Sequence, residues 1–248
     1  MRYMVLALLF VGVCQPAWVW ADQPTKGYVE AASVRYGPAG GEAGVRVALY
    51  VDERMTKDVQ GQLWGQGDWA DVLPAASPVR KSFAGNAPRP ALLVLRNEQG
   101  VTLDRRTLEV VLARVEQWPA GISPDRSLLL TLDYTAGAGS YGGLVTMVVG
   151  VVGGRLVDVS AADESAANGP ILFSRTGKAD WKFAPGSPLS VLAVSCERAE
   201  NGDDAAGTGF ELLLERYVYS NGRWSVSRRK ATGYWEVGYP FPSLRRFP

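Results

Sequence analysis

"FELLLERYVYSNGRWSVSRRK", residues 210–230, is two runs of alternating residues that meet at Asn221-Gly222. In the first run Phe210, Leu212, Leu214 and Val218 alternate with Glu211, Leu213, Glu215, Tyr217 and Tyr219. A period of two is the signature of a strand. Asn-Gly supplies two residues that tolerate positive φ, as a two-residue hairpin turn requires. The stretch therefore predicts a β-hairpin.

Residues 133–159, "DYTAGAGSYGGLVTMVVGVVGGRLVDV", repeat that logic. The string "GAGSYG" matches a dinucleotide-binding glycine pattern, but such a loop must open a helix, and the run that follows is rich in β-formers. A phosphate loop would also need a lysine after its last glycine, and none is present. Gly153-Gly154 joins "LVTMVVGVV" to "RLVDVS" as a second two-residue hairpin. The glycines of this region are turn chemistry between strands.

Working outward, "KGYVEAASVRY" and "GVRVALYV" read as strands around "GPAGGEA", and "ALLVLRNEQGVTLDRRTL" as two strands around an Asn-Glu-Gln-Gly turn. "SLLLTLDY", "ILFS" and "LSVLAVSCE" are further strands. "AADESAANGP", "RTGKADWKFAPGSP" and the acidic "RAENGDDAAGTG" read as connections. The aromatic, proline-rich tail "GYWEVGYPFPSLRRFP" is expected to lie extended over a sheet. Within residues 104–118, Leu108, Val111, Leu112, Val115 and Trp118 are spaced for one helical face and predict a short helix, with a continued strand as the alternative. Pro119 ends either one. The polar segment from Val51 to Pro90 is mainly loop, with room for a short helix near Lys57–Gln60. The fold class expected is mainly β: an antiparallel sandwich or curled sheet built from hairpins, with at most one short helix.

The first residues address the compartment. Arg2, an apolar run from Met4 to Val13, and Val19-Trp20-Ala21 have the order of a secretory signal peptide with cleavage after Ala21. Residues 1–21 are then a leader, and Asp22–Pro248 forms a single mainly-β domain in the periplasm or outside the cell. The run is too short for the ~20 apolar residues of a bilayer span, and so is Leu144–Val152. Removing Arg2 leaves 25 basic and 25 acidic residues, from 26 and 25 in the full chain. A neutral chain offers no electrostatic case for nucleic acid.

The 248 residues contain no histidine. Hydrolases that rely on a histidine base, and zinc sites built with imidazole, are thereby excluded. Past the leader only Cys196 remains, which rules out an internal disulfide and a Cys-x-x-Cys pair. Its place in an alternating apolar strand makes it a buried structural thiol.

Three features are candidates for function. Trp64 and Trp69, in "QLWGQGDWADVLP", can stack on sugar rings or anchor a protein partner, or plug the core under the loop. Asp133 and Tyr134, with Ser140-Tyr141 across the glycine-rich loop, can form a ligand site; Asp133 can equally hold the turn by accepting loop amides. Glu211, Glu215 and Glu236 are acids that glycoside hydrolysis could use, at a separation the sequence leaves open. The ligand-binding set is therefore Trp64, Trp69, Asp133, Tyr134 and Tyr141, with no catalytic residue, metal or cofactor assigned. The leading expectation is an exported, non-catalytic binding or inhibitory module acting on an envelope protein or glycan. The alternative is a carboxylate-dependent glycan hydrolase or carbohydrate-binding module.

Overall fold

The computed structural model of the chain describes residues 26–37, 43–67, 72–73, 75–119, 126–135, 142–163, 168–199 and 209–248. The expected leader, residues 1–21, lies outside them. The described residues are mainly β, in three sheets.

The first sheet is an antiparallel meander of β1 (Tyr28–Tyr36), β2 (Val45–Asp52), β3 (Leu92–Asn97) and β4 (Thr102–Thr107). The second holds β5 (Ala113–Glu116), β6 (Leu128–Asp133), β7 (Gly143–Val152) and β11 (Leu172–Thr176) in the order β11-β7-β6-β5. β8 (Arg155–Asp158) folds back on β7 through Gly153-Gly154, both at positive φ as the hairpin demands. The third contains β9 (Ser160–Asp163), β10 (Gly169–Pro170), β12 (Ala179–Ala184), β13 (Ser187–Arg198), β14 (Phe210–Ser220) and β15 (Arg223–Thr232). Its order is β10-β9-β15-β14-β13-β12, and all pairs are antiparallel except β9–β15. β14 and β15 are the hairpin read at Asn221-Gly222, where both residues have positive φ.

The second sheet is the middle layer. Leu128 and Leu130 on β6, with Val149 and Val151 on β7, pack against Val47, Leu49, Leu93 and Leu95 of the first sheet. Leu129 and Val148, one residue out of phase, face the third sheet. Successive side chains of a strand point to opposite faces, so a strand buried on both faces must be apolar at every position. That is why "LLL" in β6 is continuous rather than alternating.

The second interface is aromatic. Trp118 stacks on Trp224 with ring centroids 5.2 Å apart, and Phe173 lies 5.0 Å from Trp181 and 5.1 Å from Tyr217. The Trp118 indole N–H donates to the buried Ser127 Oγ at 3.0 Å. On the outer face of the third sheet, Leu192, Val194, Cys196, Leu212 and Leu214 are covered by Trp235 and Phe247, so the tail does lie over a sheet. Cys196 is a free, buried thiol.

Residues 104–118 correct the helical expectation. They form β4, a connection and β5; the Leu108 amide donates to the Ala91 carbonyl and the Ala91 amide to the Val110 carbonyl, which ties the connection to β3's entry. Val115 packs into the first core, whereas Trp118 enters the second, on the far side of the middle sheet. The five apolar residues thus serve two layers and do not share one face. Two segments read as connections are strands: Ala179–Ala184 is β12, and Ser160–Asp163 is β9. The helix expected near Lys57–Gln60 is α1 (Lys57–Leu63), and a six-residue helix, α2 (Pro78–Phe83), follows it.

A buried ion pair ties the loop containing α2 to the first sheet. Asp52, 1% exposed, accepts the Arg54 Nε at 2.8 Å and a terminal Arg54 nitrogen at 2.7 Å, and the Arg89 amide at 2.9 Å. Arg54 in turn donates to the carbonyls of Ser82, Asn86 and Ala87. The Arg54 hydrogen bonds hold the Asp52 carboxyl well below the usual carboxylate range. A depressed carboxylate stabilises the fold above its unfolded pKa of ~3.9, and that contribution is lost as pH falls. Asp52→Asn is expected to cost about 3–5 kcal/mol at neutral pH. The gap to wild type should close as pH falls below ~4, measured by urea unfolding at stepped pH.

Candidate functional site

α1 sets one wall of the site. Its N-terminus is capped by Thr56, and Val59 and Leu63 anchor it in the first core. The helix ends at Trp64, partly buried against that core and directed to β5. Gly65, at φ +71°, then turns the chain, and its amide donates to Asp133 Oδ2 at 2.8 Å. Asp133 also accepts the Thr135 amide at 3.0 Å and the Thr135 hydroxyl. The carboxylate at the end of β6 thus fixes two turns and positions Trp64.

The strand register places the rest. On β5, Arg114 and Glu116 share the face that points toward the third sheet, because Ala113 and Val115 occupy the other. Arg114 is opposite Thr131, Thr131 opposite Thr146, and Thr146 opposite Phe173. Thr131 and Thr146 hydroxyls are 2.9 Å apart. Beyond them, Arg175 on β11 is opposite Leu144. β12, the last strand of the third sheet, leaves this end of the middle sheet uncovered. The gap is a cleft of about 290 Å³, lined by Trp64, Arg114, Glu116, Thr131, Thr146, Arg175, Trp181 and Lys182 among others.

Each arginine of the cleft is stacked on a tryptophan. The Arg114 guanidinium carbon lies 3.9 Å from the Trp64 ring centroid, and that of Arg175 lies 4.7 Å from Trp181. Stacking fixes the plane of a guanidinium while leaving its N–H edges open for an acceptor. Arg175 also donates to Asp180 Oδ1 at 3.1 Å and to the Trp181 carbonyl at 3.3 Å. Arg114 has no acidic partner within salt-bridge distance among the described residues. The Trp181 indole N–H is buried and has no acceptor among the described residues. The lining is therefore rich in donors, and it suits a ligand rich in acceptors.

Of the five residues singled out from sequence, the structure brings Trp64 and Asp133 together, Trp64 as a wall and Asp133 as its support. Tyr134 is 37% exposed beside them and does not line the cleft; burial raises its phenol above the ordinary range. Trp69 and Tyr141 lie outside the described residues. Arg114, Arg175 and Trp181 were missed. The signal for Arg114 was the alternation Ala-Arg-Val-Glu, which the helical spacing of the larger neighbours obscured.

The three glutamates do not form one site. Glu211 accepts Lys230 at 2.7 Å, and Glu215 accepts the Arg228 Nε at 2.7 Å, both across the β14–β15 hairpin. Glu236, in the tail, bonds the Tyr234 hydroxyl at 2.5 Å and pairs with Lys178 at 3.2 Å. Burial raises the Glu215 carboxyl, with Glu197 adding to it and a bond from Tyr217 opposing. Among the described residues no three metal-ligating side chains of the His, Cys, Asp and Glu type gather, and no helix is long and apolar enough to cross a membrane.

Asp133→Ala should lower stability by about 1–3 kcal/mol, since it strips acceptors from two turns. It should also speed proteolytic cleavage near Gly65, followed by mass spectrometry of the fragments.

Compared with protein-family models, curated proteins and solved structures, the chain matches none.

Proposed function

We propose that the protein is an exported, non-catalytic binding module whose cleft between the middle sheet and β12 takes an acidic segment of an envelope protein. The observation that supports this reading is the pair of tryptophan-stacked arginines, with Arg114 outside any salt bridge among the described residues. β6 and β7 lie between them, which sets their strands ~14 Å apart. That spacing suits an extended segment carrying two or more carboxylates better than a single small anion. Arginine and tryptophan are the residue types in which binding energy concentrates. An inhibitory role follows where the bound segment belongs to an enzyme. The export reading rests on the leader-like order of residues 1–21.

The test is affinity capture from envelope extract of the source cells, with the wild-type chain and an Arg114→Glu/Arg175→Glu variant as paired baits. One dominant protein on the wild-type bait, reduced about tenfold or more on the variant at equal melting temperature, is the expected result. Equal capture by both baits, or none above background, overturns the assignment. Trp64→Ala should weaken the same capture, because it frees the Arg114 side chain from its fixed plane.

A further inference from the structure

The outer face of the first sheet carries an arrangement of charge that folding alone does not favour. Arg35 on β1 is directly opposite Arg46 on β2, and Arg46 is directly opposite Arg96 on β3. Like charges at directly opposed positions, with Cβ atoms ~5 Å apart, destabilise a sheet. The next row adds Arg105, opposite Val94. Glu30 pairs with Arg46, and Glu98 lies on the β3–β4 turn beside the row. Among the described residues, four arginines stand against two glutamates at this end of the face, in a chain whose totals nearly cancel.

The row is also concave. Arg35, Arg46 and Arg96, with Tyr36, Asn97 and Glu98, line a cleft of about 450 Å³ at the end of the sheet. The Arg96 guanidinium carbon lies 5.5 Å from the Tyr50 ring centroid, which holds it over the face. The buried Nε of Arg46 has no acceptor among the described residues. Three guanidiniums on adjacent strands span only ~10 Å. A planar carboxylate has two oxygens to offer them. A phosphoryl group has three acceptor oxygens and a charge near −2, which matches both the donor set and the net charge.

We infer that the arginine row Arg35–Arg46–Arg96 is a binding site for phosphoryl groups, separate from the cleft at Trp64. It lies on the opposite face of the first sheet from the core that supports α1, and it does not depend on the function proposed for that cleft. Bound phosphate removes the repulsion within the row, so occupancy stabilises the fold as well as recruiting the ligand.

The probe is tripolyphosphate, titrated calorimetrically into the full-length purified protein at low ionic strength. Wild type should bind, with affinity falling steeply as salt rises. Arg35→Gln, at an exposed position, should weaken binding about tenfold while the melting temperature stays level or rises. The double variant Arg223→Ala/Arg229→Ala, at exposed arginines of β15, should bind as wild type does. A second arm uses phosphatidic acid vesicles, whose headgroup is a phosphomonoester with three free oxygens, in a sedimentation assay. Co-sedimentation that tripolyphosphate competes away identifies lipid headgroups as the source. Tripolyphosphate binding without co-sedimentation identifies a soluble phosphate ligand. No binding of either probe, or equal loss in the β15 control, overturns the site. A melting temperature that falls in Arg35→Gln with binding unchanged would make the row a cover for the apolar residues beneath it, and would also overturn it.

Discussion

The fold depends on burying one sheet on both of its faces. β6 and β7 have no solvent face along most of their length, so each of their residues must satisfy one of two cores. The aliphatic core toward the first sheet and the aromatic core toward the third are joined only through this layer. Each fully buried leucine there is worth roughly 1.5–3 kcal/mol relative to exposure. Backbone ladders of the middle sheet are screened from water by both neighbours, so its hydrogen bonds are the least able to exchange partners with solvent. The outer layers are less demanding, since each needs one apolar face only.

The candidate cleft follows from the same constraint where it is relaxed. The third sheet ends at β12, and past its edge the middle sheet changes from leucine to Thr131 and Thr146. Threonine has the β-branched shape that strands favour and a hydroxyl that tolerates water. The two arginines then bridge the step between layers, with aliphatic stems against the protein and charged ends outward. Tryptophan serves there as part of the scaffold and as the surface that aims a guanidinium. The glutamates of β14, by contrast, are neutralised across the hairpin by Lys230 and Arg228, which accounts for their charge within the sheet itself.

Local chemistry was legible in the sequence wherever the partner was close along the chain. Asn221-Gly222 and Gly153-Gly154 announced their hairpins, and the unbroken Leu128–Leu130 announced a strand. β9 was not legible: Ser160–Asp163 is built of small and acidic residues and is a strand because β15, some sixty positions later, pairs with it. β12 was hidden by its flanking glycines and its charged alternate positions. Trp64 was visible by residue type, but its arginine was not, because Leu108, Val111, Leu112 and Val115 of the first core, with Trp118 of the second, fall by accident on a helical period. The arginine row of the first sheet was wholly illegible. Its members are distant in the chain, and only the register of three strands makes them neighbours.

The parallel β9–β15 pair has a consequence for how such a chain is made. β9 has only its short pairing with β10 until the last strand has emerged, and the aromatic core is completed by that same strand. A chain delivered from its N-terminus holds Leu129 and Val148 without the cover of Trp224 and Val226 until almost all of its length is present. Closing those distant pairings is slow, since long loops must be ordered before their contacts form. The interval is one in which a bare apolar sheet is open to pairing with other chains.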